Sequence, residues 1–302
     1  MKNLVVIGGL GKIGFYLLKT LENDTNLNIV CIAKPGFKNQ KKAKVFKKIK
    51  FIWADALELD LFNIFKNADV VINLAAVLPP LSEVDVETSQ RINYHFIKDI
   101  LENIQPTTKL IFLSTAGVKF YDAESESKFF AKHYLMQKRN AENDIISSHF
   151  LYTIIRPPFV WENCFPAITS SLFDIPLSNK MEFIHVSDVV YAIHQAIEKH
   201  DNEIIDLGGN QQCQITYKDY LAFCFAGYYP TDDDLFSKHF YPTDWIQGSE
   251  YQQKISFETM VKEGQKSHPL IYLYRRLFKS YIVRKWKKLS PYHALGDKAA
   301  AD

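Results

Sequence analysis

The chain has 302 residues, of which 47% are hydrophobic and 23% charged, and its formal net charge is +2. This length and composition are typical of a soluble globular protein with one large α/β domain, with or without a smaller lobe. No apolar run approaches the roughly 18 residues of a membrane-spanning helix, and the four cysteines form no CxxC pair, which argues against a disulfide framework and a metal site.

The first predicted element is a buried strand at residues 4–8, which leads into a turn containing Gly8, Gly11 and Gly14. The Met-Lys-Asn start leaves no room for a signal peptide before this strand, so we expect a cytoplasmic protein. Helical apolar spacing follows the glycines through Leu21. A strand that turns through glycines into a helix leaves backbone amides at the positive helix end, where a pyrophosphate binds. The pattern predicts a dinucleotide site.

Further apolar runs that are typical of strands lie at residues 29–33, 51–53, 70–74, 110–114 and 152–155, with helical stretches between most of them. This alternation predicts a doubly wound, Rossmann-like α/β fold with a parallel sheet. A later piece, 183–198 followed by 204–207, is expected to rejoin the sheet.

The predicted dinucleotide-binding domain spans residues 1–210, and its segment 157–182 is expected to contribute to a substrate cleft. Residues 211–302 are rich in aromatic side chains and show little β alternation. They are predicted to form a smaller, mainly helical substrate lobe.

Two basic stretches stand out, because each holds eight cationic side chains and no acid: residues 34–50 and residues 264–296. Such runs are most often solvated faces. No nucleic-acid-binding motif accompanies them, so a nucleic-acid partner is not expected.

The clearest late helix begins at Pro269 and carries an apolar stripe at helical spacing. The stripe comprises Leu270, Leu273, Tyr274, Leu277, Phe278, Tyr281 and Ile282. We expect it to dock on the core. Two alternatives stay open: a basic helix that lies on an anionic membrane surface through residues 269–288, or a phosphate-binding wall of the substrate cleft.

A tyrosine followed four residues later by a lysine places both side chains on one helix face, where the ammonium lowers the pKa of the phenol. Three such pairs occur: Tyr94/Lys98, Tyr134/Lys138 and Tyr281/Lys285. Only Tyr134 follows a predicted sheet strand that ends in hydroxyl residues, at Ser114 and Thr115. Tyr134 is therefore the candidate acid/base, whereas Tyr281 is expected to be a core residue.

These motifs, in this order over about residues 1–210, resemble the extended short-chain dehydrogenases/reductases, the group of NAD-dependent epimerases/dehydratases. The matching stretches are Gly8 to Gly14, Trp53-Ala54-Asp55, Val70 to Ala76, Ile92-Asn93, Leu113 to Gly117, Tyr134 to Lys138 with Glu142, Ile155-Arg156-Pro157, and Phe183 to Asp188.

The resemblance implies a role for each matching residue. Gly8, Gly11 and Gly14, with Lys12 and Ile13, would form the pyrophosphate turn. Asp55 and Ala56 would lie beside the adenine. The segment Asn73 to Ala76, including Ala75, would flank the cofactor near its ribose, and Asn93 would steady that region. Thr115 would hydrogen-bond the reacting oxygen, Tyr134 would move the proton, and Lys138 would hold the nicotinamide ribose and tune Tyr134. His185 and Asp188 would be structural.

Three departures from the family pattern refine the expectation. The second strand ends in Lys34 rather than in an acid, which favours the 2′-phosphate of NADP over NAD, with Lys12 and Lys38 as further cations. Ala116-Gly117 replaces the acidic pair of sugar dehydratases, which disfavours dehydration. The segment between Arg156 and His185 is shorter than in typical sugar-nucleotide epimerases, which weakens the assignment to a sugar nucleotide and favours an apolar substrate.

The residues and this resemblance together predict an NAD(P)-dependent epimerase or ketoreductase that acts on a secondary carbinol or ketone, with a nucleotide-activated sugar as the favoured substrate. The resemblance also implies a homodimer. A reductase of an apolar carbonyl compound, similar to hydroxysteroid or dihydroflavonol reductases, is the first alternative. A non-catalytic NADP-binding sensor or assembly protein is the second.

Overall fold

The computed structural model describes residues 1–121, 131–161, 170–208, 211–225, 233–237, 244–246 and 255–290. Parts of the predicted cleft segment 157–182 and of the lobe 211–302 lie outside this range, as does Cys164. The chain divides into two compact units. The first unit comprises residues 1–118, 133–157 and 186–207, and the second comprises the described residues of 119–132, 158–185 and 208–302.

The strands of the first unit confirm the predicted apolar runs. They are β1 (Lys2–Ile7), β2 (Leu27–Ala33), β3 (Lys50–Trp53), β4 (Val70–Asn73), β5 (Lys109–Leu113), β6 (Tyr152–Arg156) and β9 (Glu203–Asp206). They form one sheet in the order β3-β2-β1-β4-β5-β6-β9. Every neighbouring pair is parallel, with for example Val6 opposite Cys31 on one side and Ile72 on the other. The strand order reverses beside β1, and ligands bind at such a point in doubly wound folds.

Helices cover both faces of this sheet because the crossovers between parallel strands are helical. They are α1 (Lys12–Leu21), α2 (Phe37–Ala43), α3 (Leu61–Phe65), α4 (Leu81–Val84), α5 (Val86–Gln90), α6 (Phe96–Asn103), α7 (Lys132–Ile146) and α8 (Val186–Ala196). A π-helical segment, Arg91–His95, joins α5 to α6. The core on one face contains Phe65, Phe96, Phe112 and Ile145, all fully buried. The doubly wound Rossmann-like fold is confirmed.

The second unit holds a small sheet of β7 (Phe159–Trp161), β8 (Lys180–His185) and β10 (Gln214–Thr216), in which β8 is central. The sequence placed the strand around residue 183 in the main sheet. That part of the prediction is wrong, because β8 pairs with β7 and β10, whereas the 204–207 piece does rejoin the main sheet as β9 beside β6. An apolar strand pattern does not specify its partner.

The remaining helices of the second unit are α9 (Tyr217–Cys224), α10 (Phe257–Ser267), α11 (Pro269–Leu277) and α12 (Lys279–Lys287). Its core is aromatic, with Trp161, Phe173, Phe183, Phe257 and Trp286 among its buried members. No helix in the described part of the chain is long and apolar enough to cross a membrane.

The predicted docking of the late apolar stripe on the core is wrong. Helix α11 does begin at Pro269, but Leu270 is 80% exposed and Leu277 is 67% exposed, while Arg275 is 7% exposed. Tyr281, expected in the core, is also exposed. The Arg275 guanidinium lies 4.4 Å from the centre of the Phe225 ring. This contact explains how a charged residue occupies the buried face in place of the stripe.

Candidate functional site

The turn between β1 and α1 requires glycine at two positions. Gly8 has φ +79°, and a Cβ there would lie 2.9 Å from the backbone nitrogen of Ala75. A Cβ at Gly14 would lie 2.5 Å from the carbonyl oxygen of Gly8 and 2.6 Å from the Cα of Gly9. The backbone segments after β1 and β4 therefore approach one another as only glycine permits.

Helix α1 starts at the edge of this turn, with Lys12 and Ile13 in its first turn and Gly11 as an N-cap that has no side chain to offer. The Gly11 amide donates to the carbonyl oxygen of Gly8 at 2.9 Å, which closes the turn. The uncapped positive end of a ten-residue helix suits an anion. This geometry fits the pyrophosphate site that the sequence predicted.

Lys34, at the end of β2, forms an ion pair with Asp55: Nζ lies 2.8 Å from Oδ2. Asp55 also accepts a hydrogen bond from the amide of Leu57 and caps the short 3-10 helix that begins at Ala56. Burial raises the pKa of the Asp55 carboxyl, but the hydrogen bond from Lys34 and the amide of Leu57 outweigh it, so the pKa is lowered. The two predicted adenosine-side residues are thus brought together, which the sequence did not indicate.

Lys42 is a residue that the sequence reasoning missed. Its Nζ donates to the carbonyl oxygen of Leu10, within the glycine turn, at 2.9 Å. The signal was present in the sequence, because Lys42 lies four residues after Lys38 and therefore on the same face of α2. The basic stretch 34–50 thus includes a lysine that contacts the turn.

Asn73 ends β4 and is buried. Its Oδ1 accepts a hydrogen bond from the amide of Ala75 at 3.1 Å. Its Nδ2 is buried without a hydrogen-bond partner in the described part of the chain. A buried donor left unsatisfied is costly, and a bound ligand would supply the missing acceptor. Ala75 and Ala76 follow at the same sheet edge, at least partly accessible.

Asn93 lies in the π-helical segment and joins two parts of the first unit. Its Oδ1 accepts from the amide of Val77 at 2.8 Å, while its Nδ2 donates to the carbonyl of Val77 at 2.9 Å and to Gln137 Oε1 at 2.8 Å. Gln137 in turn donates to Ser89 Oγ. The chain after β4 is therefore tied to α7, the helix that carries Tyr134 and Lys138. Gln137 carried no sequence signal, since any partner of Asn93 is set by tertiary contact.

Lys138 is 1% exposed, and its Nζ donates to the carbonyl oxygen of Leu113 at 2.9 Å. The same Nζ lies 4.4 Å from the centre of the Phe112 ring. Burial lowers the pKa of Lys138 to about 7, although Glu142 opposes the change. A buried lysine with a near-neutral pKa, whose Nζ contacts the end of a central strand, is typical of a functional site.

The hydroxyl residues that follow Leu113 lie at the same strand end. Ser114 Oγ is buried and has no hydrogen-bond partner in the described residues, and Thr115 Oγ1 accepts from the amide of Gly117 at 3.3 Å. Tyr134 is 9% exposed and lies one helical turn before Lys138 on α7. The end of β5 therefore carries the hydroxyl residues Ser114 and Thr115 and also accepts the hydrogen bond from Lys138.

Glu83 is a second residue that the sequence reasoning missed. Its two carboxylate oxygens accept the backbone amides of His133 at 2.9 Å and of Tyr134 at 3.1 Å, at the start of α7. Helix N-termini are usually capped by a residue close in sequence, so a carboxylate 50 positions away gives no local signal.

Arg156 and Glu142, both in family motifs, form a partly buried ion pair rather than part of the candidate site. Arg156 Nε lies 2.9 Å from Glu142 Oε1, and its guanidinium also approaches Asp206. Burial lowers the pKa of Arg156, but Glu142 and Asp206 outweigh burial and raise it. This network joins α7 to β6 and β9. His185, in the second unit, lies 3.4 Å from Glu263.

Several solved structures share this fold. UDP-glucuronic acid 4-epimerase from Bacillus cereus, a Tyr-to-Phe mutant in complex with a fluorinated UDP-glucuronic acid and NAD, has a TM-score of 0.72 and 19% identity, covering 89% of this chain and 100% of that one. UDP-glucose 4-epimerase from Thermotoga maritima, with UDP-glucose, has a TM-score of 0.62 and 18% identity over 91% and 99%. The PbgP3 protein from Burkholderia pseudomallei has a TM-score of 0.70 and 15% identity over 91% and 98%. At these identities the likeness shows the fold.

No curated protein sequence matches the chain. Residues 8–201, however, match the model of the NAD(P)H-binding family. This span includes the glycine turn, the Lys34–Asp55 pair, Asn73 and the Tyr134–Lys138 helix. The predicted nicotinamide dinucleotide is therefore confirmed as the cofactor class. The chain belongs to the NAD(P)H-binding family, as its resemblance to the extended short-chain dehydrogenases/reductases predicted.

Proposed function

We propose that this protein is an NAD(P)-dependent epimerase or ketoreductase that acts at a secondary carbinol or ketone, with Tyr134 as acid/base. The observation that carries the proposal is the position of Lys138, whose buried Nζ lies 2.9 Å from the carbonyl of Leu113, directly before the hydroxyl residues that end β5. Burying a lysine ammonium group costs free energy, so a lysine with only a packing role would not be expected at this position.

The residues at the sheet edge fit a dinucleotide. The glycine turn and the first turn of α1 would take the pyrophosphate, Asp55 and Ala56 would lie at the adenine, and the unsatisfied Nδ2 of Asn73 would donate to the cofactor. When bound, the nicotinamide ring supplies a hydride acceptor or donor for the substrate carbon.

Tyr134 would move the proton that accompanies hydride transfer. Its phenolic oxygen takes a proton from a carbinol or returns one to a ketone, while Thr115 Oγ1 donates a hydrogen bond to the same substrate oxygen. A protonated Lys138 favours the phenolate of Tyr134, because an opposite charge stabilises the ionised form. Since the pKa of Lys138 is about 7, its charge is sensitive to what binds beside it.

We infer a nucleotide-activated sugar as the substrate. The support is the shared fold with the UDP-glucuronic acid and UDP-glucose 4-epimerases. The residues after Thr115 are Ala116 and Gly117, without the acidic side chain expected of a dehydratase. Epimerisation or keto-sugar reduction is therefore favoured over dehydration.

Two features of the sequence favour the alternative of an apolar carbonyl substrate: the aromatic residues of the second lobe and the short segment between Arg156 and His185. Trp161, Phe173, Phe183 and Phe257 instead pack on one another in the core of the second unit. Their burial accounts for the aromatic content without an apolar substrate, so only the short segment still favours this alternative. The nucleotide sugar therefore stays our proposal. The homodimer and the cytoplasmic location stay predictions, for sedimentation equilibrium and cell fractionation to test.

The test is turnover of UDP-glucose and UDP-glucuronic acid by the wild type, by Tyr134→Phe and by the control Tyr94→Phe. The control changes the tyrosine of another Tyr–Lys pair, in which Lys98 lies over the Tyr94 ring. Tyr134→Phe should abolish turnover and leave cofactor affinity within a few-fold, whereas Tyr94→Phe should keep activity. Equal activity in Tyr134→Phe would refute the mechanism.

A second measurement separates an epimerase from a reductase. The freshly purified protein is denatured, and released nicotinamide cofactor is identified by mass spectrometry. Tightly retained NAD supports an epimerase, which regenerates its cofactor in every turnover. A cofactor-free protein that binds NADPH reversibly supports a reductase. Binding without turnover of any sugar nucleotide or ketone would favour the non-catalytic sensor.

A further inference from the structure

Helices α11 and α12 expose an unusual amount of apolar surface. Large apolar side chains recur every three or four residues along these helices, and they are exposed, from Leu270 at 80% to Tyr281 at 58%. The exposed members that define this face are Leu270, Leu273, Tyr274, Leu277, Phe278 and Tyr281. Isolated exposed apolar residues are ordinary, but a contiguous set of this size marks an interaction surface.

The orientation of these helices is set by buried contacts on another face. Trp286 is fully buried against Phe225 and Phe173, with ring centres at 4.6 and 5.4 Å, and Ile282 is buried as well. Arg275 is buried over the Phe225 ring. Because these contacts anchor the two helices, rotating the apolar face inward would expose Trp286. The exposed stripe is therefore a consequence of the packing.

The charged residues within these two helices are all of one sign. Between Gly264 and Ser290 the sequence has eight Lys or Arg residues and no Asp or Glu. Arg284 and Lys285 are exposed and follow Tyr281 by three and four residues on α12, so they extend the same face beyond its apolar part. Arg276 and Lys288 are exposed too.

We propose that the apolar face of α11 and α12, with its cationic end, docks on an anionic phospholipid membrane. Amphipathic helices with leucine and aromatic residues on one side and Lys or Arg beside them lie in the membrane–water interface. The rings of Tyr274 and Tyr281 suit this depth, because each has an apolar body and a polar tip. The cations would meet the headgroup charge.

A second copy of the chain fits this surface less well. In a two-fold dimer the same patch faces itself, and the stretch 264–290, which contains no Asp or Glu, would bring its cations against the cations of the other copy. An anionic lipid surface matches both the apolar and the charged part. The proposal is independent of the reaction assigned to Tyr134.

The experiment is flotation of the full-length protein with vesicles of phosphatidylcholine alone and of phosphatidylcholine mixed with phosphatidylglycerol, at low and high salt. Binding to the mixed vesicles that weakens at high salt is expected, with little binding to phosphatidylcholine alone. No binding to either vesicle, or equal binding to both, would overturn the proposal.

Two variants test the two parts of the face. Leu273→Ser/Leu277→Ser removes exposed apolar groups, and Arg284→Gln/Lys285→Gln removes exposed charge. Each should lower the bound fraction by about tenfold. Phe62→Ser, an exposed apolar residue on α3, and Lys262→Gln, an exposed lysine on α10, are matched controls and should bind as the wild type does.

Circular dichroism and sedimentation equilibrium accompany the flotation. All four variants change exposed side chains, so an unchanged spectrum is expected. A wild type that is a dimer, with a leucine variant that is monomeric and vesicle binding that is unaffected, would assign the face to a second copy and overturn the membrane proposal.

Discussion

The carboxylate of Glu83 accepts a hydrogen bond from the backbone amide of Tyr134 at 3.1 Å, and another from the amide of His133 at 2.9 Å. These amides belong to the first turn of α7, whose partial positive charge favours an anion. Glu83 therefore acts as a tertiary cap for the helix that carries the proposed acid/base. It is a positioning residue, because it holds Tyr134 through the backbone.

We expect Glu83→Ala to lower stability by about 1 kcal/mol, the usual effect of losing a helix cap. The same change should lower kcat by roughly tenfold with little change in KM, because a displaced acid/base loses its alignment. Amide hydrogen exchange at residues 133 and 134 gives a readout that needs no substrate. Glu87→Ala, an exposed carboxylate on α5, is the control and should leave exchange unchanged. Unchanged exchange in Glu83→Ala would contradict the cap.

The pH dependence of stability tests the burial of Lys138. Its pKa falls from 10.5 to about 7 on folding, so between these values the unfolded state binds a proton that the folded state lacks. Stability should therefore rise with pH in this window, by up to about 1.4 kcal/mol for each pH unit. Below about pH 7 the penalty for the buried charge is fully present.

Lys138→Met removes this titration, and the measurement is its thermal midpoint relative to the wild type from neutral to alkaline pH. The thermal midpoint of the wild type should rise relative to that of the variant as the pH rises. Cys31, whose pKa is raised to about 12 by burial, titrates in both proteins and cancels in the difference. Parallel curves would mean that Lys138 keeps its ordinary pKa.

Cofactor selectivity should depend on the ion pair between Lys34 and Asp55. Lys34→Ala should weaken NADPH binding by about tenfold, the value of a charge-assisted hydrogen bond, and should change NADH binding little. Asp55→Asn should shift the ratio the other way by about fivefold, because it releases Lys34 for the 2′-phosphate from a partly exposed ion pair.

Titration calorimetry with both cofactors measures the ratio. Lys41→Ala is the control, an exposed lysine in the same basic stretch. A ratio that is the same in Lys34→Ala and in the wild type would remove the argument for NADP.

The glycine turn should tolerate no side chain at Gly14. Gly14→Ala places a Cβ 2.5 Å from the carbonyl oxygen of Gly8, and this backbone has no flexible end to move aside. We expect a loss of about 1–3 kcal/mol of stability and loss of cofactor binding. Gly11→Ala, whose Cβ meets the same oxygen at 3.0 Å, should be milder. Equal cofactor affinity in Gly14→Ala and the wild type would argue against a pyrophosphate site in this turn.

The sequence by itself determined the features that depend on neighbouring residues. Short apolar runs predict buried strands, and the spacing of Gly8, Gly11 and Gly14 predicts a turn, because backbone conformation and burial leave local patterns. The strands of the main sheet and the start of α11 at Pro269 were predicted correctly for this reason. The order of the family motifs added the cofactor class, which the family match confirms.

Only the tertiary structure decided which residues meet. Glu83 caps α7, Gln137 binds Asn93, and Lys34 pairs with Asp55, each between positions far apart in the chain. The late stripe shows the same limit: helical spacing establishes that an apolar face exists, but not what it faces. The contacts of Trp286 and Arg275 with the ring of Phe225 determine which face of these helices is buried. Periodicity is a property of one helix, whereas burial is a property of its neighbours.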